Sequence, residues 1–366
     1  MRVEPRVPDA VLAAIGAPLA ERASRVDAPL LQPLNLYLDL AGEVMRAQLI
    51  VVQAQGGEEL CLRPDFTVPV AAAHIVSGAR TGAYLYQGAV FRSGEAGAPE
   101  EDVQLGLERI GADTAGADED MAALAWRAAS AGGRQDLTLW LGDIGLFAAF
   151  LEGLDLAPAQ TKRLRRLAGQ PRLLAQELAR PPTLTPAAGR LASLLAPLDE
   201  VAAGQVLEEV WALAGVEPVG GRSAAHIARR LVRRSEAVET PALEPAHANA
   251  LQAFMAIEGR ARDALDGLYA IGGPRLRPAL DAWRTRLDAL SVHIPADRLW
   301  FAPALGHDFD YYDGMTFEVR SDVLGSDRPV AVGGRYDGLI SRMGGAATKA
   351  IGCMVRPYRA WSEGEA

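Results

Sequence analysis

The spacing of apolar and polar residues changes character twice along the chain. Over roughly the first 140 residues it favours a mixture dominated by strands. AQLIVVQA and ELCLRPD alternate with a period of two and read as two strands turned at Gly56–Gly57. GAVFRSGEAGAPEEDVQLGLERIG, residues 88–111, reads as a β-hairpin. Val90 and Arg92 share one face of it, and Gln104, Gly106 and Glu108 share one face of the return strand. DEDMAALAWRAASAGG predicts a short helix closed by glycine, and DLTLWLGD another strand. From 141 to 290 the period becomes helical: FAAFLEGL, QTKRLRRLAG, PRLLAQEL, AGRLASLLAPL, GQVLEEVWALAG and HANALQAFMAIEGRARDALDGL, with no fixed repeat length. Strand character returns from 291 to 366 in RLWFAPAL, GMTFEVRS, PVAVGGRY and AIGCMVR. The simplest architecture is α+β. Residues 1–140 and 291–366 form the two parts of one antiparallel sheet, and 141–290 is a helical insertion or continuation between them.

Composition narrows the class. A chain of 366 residues with 49% hydrophobic content can bury a sizeable core and fold as two or three domains. MRVEPRVPDA has no apolar signal core, and no apolar run reaches the roughly 20 residues of a membrane helix, so a cytoplasmic location without membrane contact is expected. Cys61 and Cys353 are far apart in apolar, strand-like segments, which points to packing and away from a disulfide or a metal. The net charge of −9 opposes nucleic-acid binding, which rests on phosphate neutralisation. Only Lys162 and Lys349 of the 37 basic residues are lysines, so arginine richness is a bias of composition. HIARRLVRRS (226–235) is read accordingly as a solvated or subunit-facing helix.

Catalytic patterns are missing. The five histidines, His74, His226, His247, His293 and His307, have no HExxH spacing, and the sequence holds no GxSxG elbow or GxxxxGK[ST] loop. No metal and no cofactor is expected. The paired glycines of GGRSAAH and VAVGGRYDG lack dinucleotide-loop spacing and are read as turns. The remaining candidates are polar residues placed on strands. They are Arg63, Asp65 and Thr67 in LRPDFT; Arg92, Gln104 and Glu108 in the hairpin; Asp310, Tyr311, Tyr312 and Glu318 in HDFDYYDGMTFEV; and Arg335, Tyr336 and Asp337 in GGRYDGL.

The order LRPDFT, GAVFR, VQLGLERIG, DYYDGMTFEV, VGGRYDGL, AIG resembles the core of histidyl-tRNA synthetase, a class II synthetase fold, over about residues 60–355. PLLQP, with Pro29 and Pro33, is similar to the proline-bearing dimer motif of that class. The resemblance implies an antiparallel sheet of about six to seven strands, flanked by helices with a helical insertion, in a homodimeric core. It also implies a pocket for free L-histidine. In that pocket Asp65 and Thr67, with Asp in place of the usual Glu, and Gln104 hold the α-ammonium. Glu108 accepts from the imidazole N–H, and Tyr311 and Tyr312 close over the ring with Tyr336 nearby. The ligand carboxylate falls to His307 or, better suited as a fixed cation, to Arg92.

The adenylation machinery departs from the family. Its hairpin loop carries arginines in a GRxRxF pattern, and here the loop reads GAPEED, with Glu95, Glu100, Glu101 and Asp102 nearby. Carboxylates there repel a triphosphate at about 1–3 kcal/mol per contact. His307 stands where the family's RGLDYY signature opens on arginine, and RPYR (356–359) replaces a Gly-Leu-Glu-Arg run, with Arg359 matching its arginine. After Ala366 no anticodon-binding domain is expected. Together these features resemble the synthetase-like regulatory subunits of ATP phosphoribosyltransferase, the first enzyme of histidine biosynthesis. Such chains catalyse nothing themselves; they activate a short catalytic subunit in a hetero-oligomer and mediate feedback by histidine. Two rivals stay open: a truncated synthetase paralogue that still adenylates an amino acid, and a stand-alone amino-acid-binding protein with another partner.

Overall fold

The computed structural model describes residues 6–21, 23–38, 40, 48–54, 56–93, 99–111, 116–168, 171–179, 198, 200–214, 243–306 and 311–364, without the side chains of 99, 100, 171, 172, 200 and 201. Its strands are β1 (Ser24–Arg25), β2 (Leu31–Pro33), β3 (Val51–Gln53), β4 (Glu59–Leu62), β5 (Gly82–Ser93), β6 (Pro99–Ile110), β7 (Leu137–Asp143), β8 (Gly259–Arg260), β9 (Leu299–Phe301), β10 (Met315–Ser321), β11 (Ala331–Arg335) and β12 (Ala350–Val355). Among the described residues these form a nine-stranded sheet ordered β1-β5-β6-β12-β11-β10-β7-β9-β8 and a three-stranded sheet ordered β2-β4-β3. Strands from both ends of the chain therefore interleave in one sheet. It is wider than six or seven strands and mixed in direction, because β1 runs parallel to β5 and β9 parallel to β7. Those flanking pairs are two and three residues long. β9 lies in RLWFAPAL, which the sequence reads as a strand, whereas the two residues of β1 carry almost no periodicity.

The hairpin pairs in register over twelve residues of each strand, with Gly88 opposite Gln104 and Arg92 opposite Glu100. This corrects the reading of the acidic run as a loop, since Pro99–Asp102 begin β6. Residues 94–98, with Glu95 and Ala98, lie outside the described residues. The turn at Gly56–Gly57 joins β3 to β4 as expected, with Gly57 at φ 86°, a conformation open to glycine. Helix Ala117–Ser130 opens after Gly116 and carries Asp118, Glu119 and Asp120 in its first turn, where the helix dipole favours carboxylates. It packs its alanines with Met121 and Leu124 against β11 and β12.

Two compact units divide the chain: residues 1–153, 168–171 and 253–366 in one, and 154–167 with 172–252 in the other. The second contains helices Pro158–Arg165 and Glu200–Ala214, and an Arg163–Glu177 ion pair. Segments 188–198, all but 198 itself, and 226–235 lie outside the described residues. The run HANALQAFMAIEGRARDALDGL does not form one helix. It divides into Pro245–Met255 and Ala261–Ile271 around β8. Helices Ala261–Ile271 and Gly273–Leu290 belong to the unit that holds the sheet. Trp283 meets Phe301 edge-on at 4.7 Å and donates its indole N–H to Asp143 at 2.7 Å. Helical period identifies a buried stripe but not the surface that covers it. Among the described residues, no helix is long and apolar enough to cross a membrane.

Candidate functional site

Residues directly opposite in a β-ladder project from the same face of the sheet. The register lines up Tyr84, Glu108, Gly352, Gly334, Thr316 and Gly142 in one row across six strands. Tyr86, Gly106, Met354, Val332, Glu318 and Trp140 form the adjacent row. The centre of this face is a floor of glycine. A Cβ on Gly352 would overlap the Glu108 carboxylate, one on Gly106 would overlap the Tyr86 phenol, and one on Gly334 would lie 2.8 Å from the Tyr312 ring. Strand glycines generally mark a close approach of other atoms. The pair in VAVGGRYDG is therefore not a turn: Gly333 and Gly334 lie within β11.

Over this floor sit two buried carboxylates. Glu108, 1% exposed, accepts from Thr67 Oγ1 at 2.7 Å, from the Tyr86 hydroxyl at 3.4 Å and from the Tyr336 hydroxyl at shorter range. Asp65, 4% exposed, accepts from the hydroxyls of Tyr37 at 3.3 Å and Tyr311 at 3.1 Å. Tyr311, Tyr312 and Tyr336 pack against one another with ring centroids 4.8–6.4 Å apart. Tyr86 is fixed by stacking on Phe66 at 4.3 Å, with the Arg63 guanidinium on that same ring at 4.1 Å. Hydroxyls serve Glu108, and two hydroxyls together with the Val68 amide, 3.5 Å from Oδ1, serve Asp65.

Burial therefore dominates their ionisation. It pushes Glu108 up to about 7, against the lowering effect of the Tyr336 and Thr67 hydroxyls. It pushes Asp65 up to about 6, against the charge of Arg92 and the Tyr311 hydroxyl. Burial likewise holds the Tyr37, Tyr86, Tyr311 and Tyr336 hydroxyls well above their usual range, so they remain donors. Both carboxyls titrate higher folded than unfolded. The stability this confers is complete below about pH 4 and is lost as pH rises through 6 to 7, by about 3 kcal/mol for each group. The thermal midpoint of the ligand-free chain is thus expected to fall between pH 5.5 and 8. Glu108→Gln should flatten that slope in a calorimetric pH series, and a slope unchanged by the substitution would contradict the assignment.

The fold brings Asp65, Thr67, Glu108, Tyr311, Tyr312 and Tyr336 together, with Gln104 two residues before Gly106 on the same face of β6, 2% exposed. Arg92 donates from Nε to the Pro64 carbonyl at 3.1 Å and acts electrostatically on Asp65. Asp310 and His307 lie outside the described residues. Four other candidates serve the framework. Arg63 bonds the carbonyls of Ala89 and Ala28, Arg335 pairs with Asp118, Asp337 accepts from Lys349 and the Ala350 amide, and Glu318 pairs with Arg320. Arg335 is next to Gly334 on β11, so alternation carries it to the opposite face. The sequence reading missed Tyr37 and Tyr86. The period-two pattern of YLYQGAVFR could have found Tyr86 on the face of Val90 and Arg92; Tyr37 lies in a helical turn with no such signal.

At the end of this face, Arg356 bonds Asp102 at 2.6 Å and the Pro329 carbonyl at 3.1 Å, and Arg359 reaches that same carbonyl at 3.3 Å. Asp102 is thus an internal partner for the first arginine of RPYR.

A model of the histidyl-tRNA synthetase family matches residues 24–217 and 205–359. The ATP phosphoribosyltransferase regulatory subunit of Mesorhizobium japonicum is 36% identical over 337 residues, covering 89% of this chain and 89% of the relative. That of Agrobacterium fabrum is 35% identical over 338 residues, covering 89% and 88%. This chain belongs to the ATP phosphoribosyltransferase regulatory subunit family. Membership makes it a regulatory, non-catalytic subunit of an enzyme complex. The fold agrees: the crystal structure of an ATP phosphoribosyltransferase regulatory subunit/histidyl-tRNA synthetase from Bacillus halodurans matches with a TM-score of 0.64 at 22% identity, over 100% of this chain and 82% of that one. Histidyl-tRNA synthetase from Nostoc sp. PCC 7120 matches with a TM-score of 0.59 at 17% identity, over 96% and 69%.

Proposed function

We propose that the two carboxylates and the tyrosines around them form a pocket for free L-histidine, whose occupancy the chain reports to a short ATP phosphoribosyltransferase catalytic subunit. The observation that carries this reading is the pair of buried carboxylates, Asp65 and Glu108, each held by two or more hydroxyls, with the Val68 amide also on Asp65. A site of this kind favours a ligand with two separate N–H-bearing groups, at least one of them cationic. Histidine fits: its α-ammonium goes to Asp65 with Thr67 and Gln104, its imidazole N–H to Glu108, and Tyr311, Tyr312 and Tyr336 enclose the ring. Arg92 supplies a cation for the ligand carboxylate. Bound histidine then biases the complex toward a less active state, and linkage requires that substrates favouring the active state weaken histidine binding by the same factor.

The test is to express the two chains separately, mix them, and measure phosphoribosyl-ATP formation with and without histidine. Activation on mixing and inhibition by histidine are expected, with a coupling of roughly 5–150-fold in affinity. Full activity of the catalytic chain alone, unchanged by adding this one, would reject the reading. No histidine-dependent exchange of pyrophosphate into ATP is expected from the purified chain, because Glu100, Glu101 and Asp102 stand where the synthetase hairpin carries its ATP-binding arginines. Exchange above a no-enzyme control would instead support the adenylating paralogue.

Self-association is the second part of the proposal. Leu30, Leu31 and Val51 are 50%, 46% and 47% exposed on or beside the three-stranded sheet, where PLLQP lies. Leu31→Glu is expected to shift the chain toward monomer in sedimentation velocity. A wild-type chain that is already monomeric at high concentration would remove this part.

A further inference from the structure

One contact to the pocket comes from an element that the binding proposal does not use. Tyr37 lies in the helical turn 34–38, directly after β2, and is fully buried among Leu34, Leu49, Cys61, Tyr311 and Leu339. Its hydroxyl donates to Asp65 Oδ1 at 3.3 Å, while Tyr311 donates to Oδ2 at 3.1 Å. Oδ1 also accepts from the Val68 N–H at 3.5 Å, so Asp65 is held by its own helix start, by the segment that continues from β2 and by the tyrosine pair before β10. The apolar wall around Tyr37 gives its hydroxyl little alternative to Asp65, and an unpaired hydroxyl there would be costly.

We infer that Tyr37 is a positioning residue of the pocket, holding Asp65 in the orientation and ionised form that an ammonium ligand needs, so that the acceptor is complete only when segment 34–38 is docked. This rests on the reading of Asp65 as the ammonium acceptor. Other groups facing Asp65 are Arg92 from β5, Glu108 and Tyr86 from the hairpin, Tyr311 and Tyr312 before β10, and Cys61 from β4. Arg92 alone among them offers a positive charge, and its charge acts on Asp65. Loss of the Tyr37 donor leaves Oδ1 with the longer Val68 N–H contact at 3.5 Å.

Tyr37→Phe keeps the ring in its apolar setting and removes only the donor. In the ligand-free chain, carbon-13 NMR of the Asp65 carboxyl should show its titration midpoint raised by about one pH unit relative to wild type, since a hydrogen bond to a carboxylate has that order of effect. Calorimetry with L-histidine should show the matching change: affinity reduced several-fold at pH 6.5 and within about twofold of wild type at pH 8.5. A purely structural role would lower affinity equally at both pH values and leave the midpoint in place. An unmoved Asp65 midpoint overturns the inference whether or not histidine binds. Wild-type chain that does not bind histidine while the midpoint moves as expected would reject the histidine pocket and keep Tyr37 as the residue that sets Asp65.

Discussion

Glu108→Ala is expected to weaken L-histidine binding by roughly 5–150-fold. Glu108 is 1% exposed, and its carboxylate is the only acceptor proposed for the imidazole N–H. Removing it leaves a buried donor unpaired on the ligand and three hydroxyls, those of Thr67, Tyr86 and Tyr336, without their acceptor. An unsatisfied group of this kind costs about 1–3 kcal/mol, which is the quoted range in affinity. Glu108→Gln separates binding from stability. Its amide removes the cost of an ionised carboxylate in a dry site, so the ligand-free protein should be more stable than wild type at pH 8. It should still bind histidine more weakly, because an acceptor that also presents two N–H groups suits three hydroxyl donors poorly. Opposite signs for stability and affinity are characteristic of a group retained for binding at a cost to the fold. Isothermal calorimetry beside a thermal series measures both. Undiminished affinity in Glu108→Ala would remove Glu108 from the ligand's contacts.

Gly352→Ala should be at least as damaging, although the residue touches no proposed ligand. It lies opposite Glu108 on β12, and an added methyl would occupy the space of the Glu108 carboxylate. Since Glu108 is enclosed by Thr67, Tyr86 and Tyr336, it can give way only by breaking those hydrogen bonds. The expected result is a loss of histidine affinity equal to or beyond that of Glu108→Ala, together with about 1–3 kcal/mol of destabilisation from overpacking. Gly56→Ala provides the control, because nothing lies within 4 Å of its added Cβ and it has no positive φ. Chemical denaturation and calorimetry on the three proteins test this together. Wild-type affinity in Gly352→Ala would mean that Glu108 is free to move, and the close-packed site described above would be wrong.

The sequence by itself determined the central strands and the types of residue that line the site. Alternation in GAVFR and VQLGLERIG fixed which residues of the hairpin share a face, and that face is the one that carries Glu108 and Gln104. Short-range patterns of this kind survive because the period of a strand is set by its own backbone. The buried cysteines were legible for the same reason, both lying in apolar strands. The outermost strands β1 and β8 were not legible, because two residues cannot display a period. The fate of the charges was not legible either. Glu100, Glu101 and Asp102 looked like a repulsive loop, yet they extend a strand, and Asp102 meets an arginine 254 residues away.

Only the tertiary structure decided which polar residues converge. Arg335 and Tyr336 are adjacent in sequence, but one pairs with Asp118 and the other bonds Glu108. Tyr37 reaches Asp65 across 28 residues, and Tyr311 reaches it across 246. Gly334, read as part of a turn, became strand floor beneath Tyr312, as Gly352 is beneath Glu108. Residue type and local period are properties of a few neighbouring positions. Burial, orphaned charge and the company a carboxylate keeps arise only when distant strands are brought side by side.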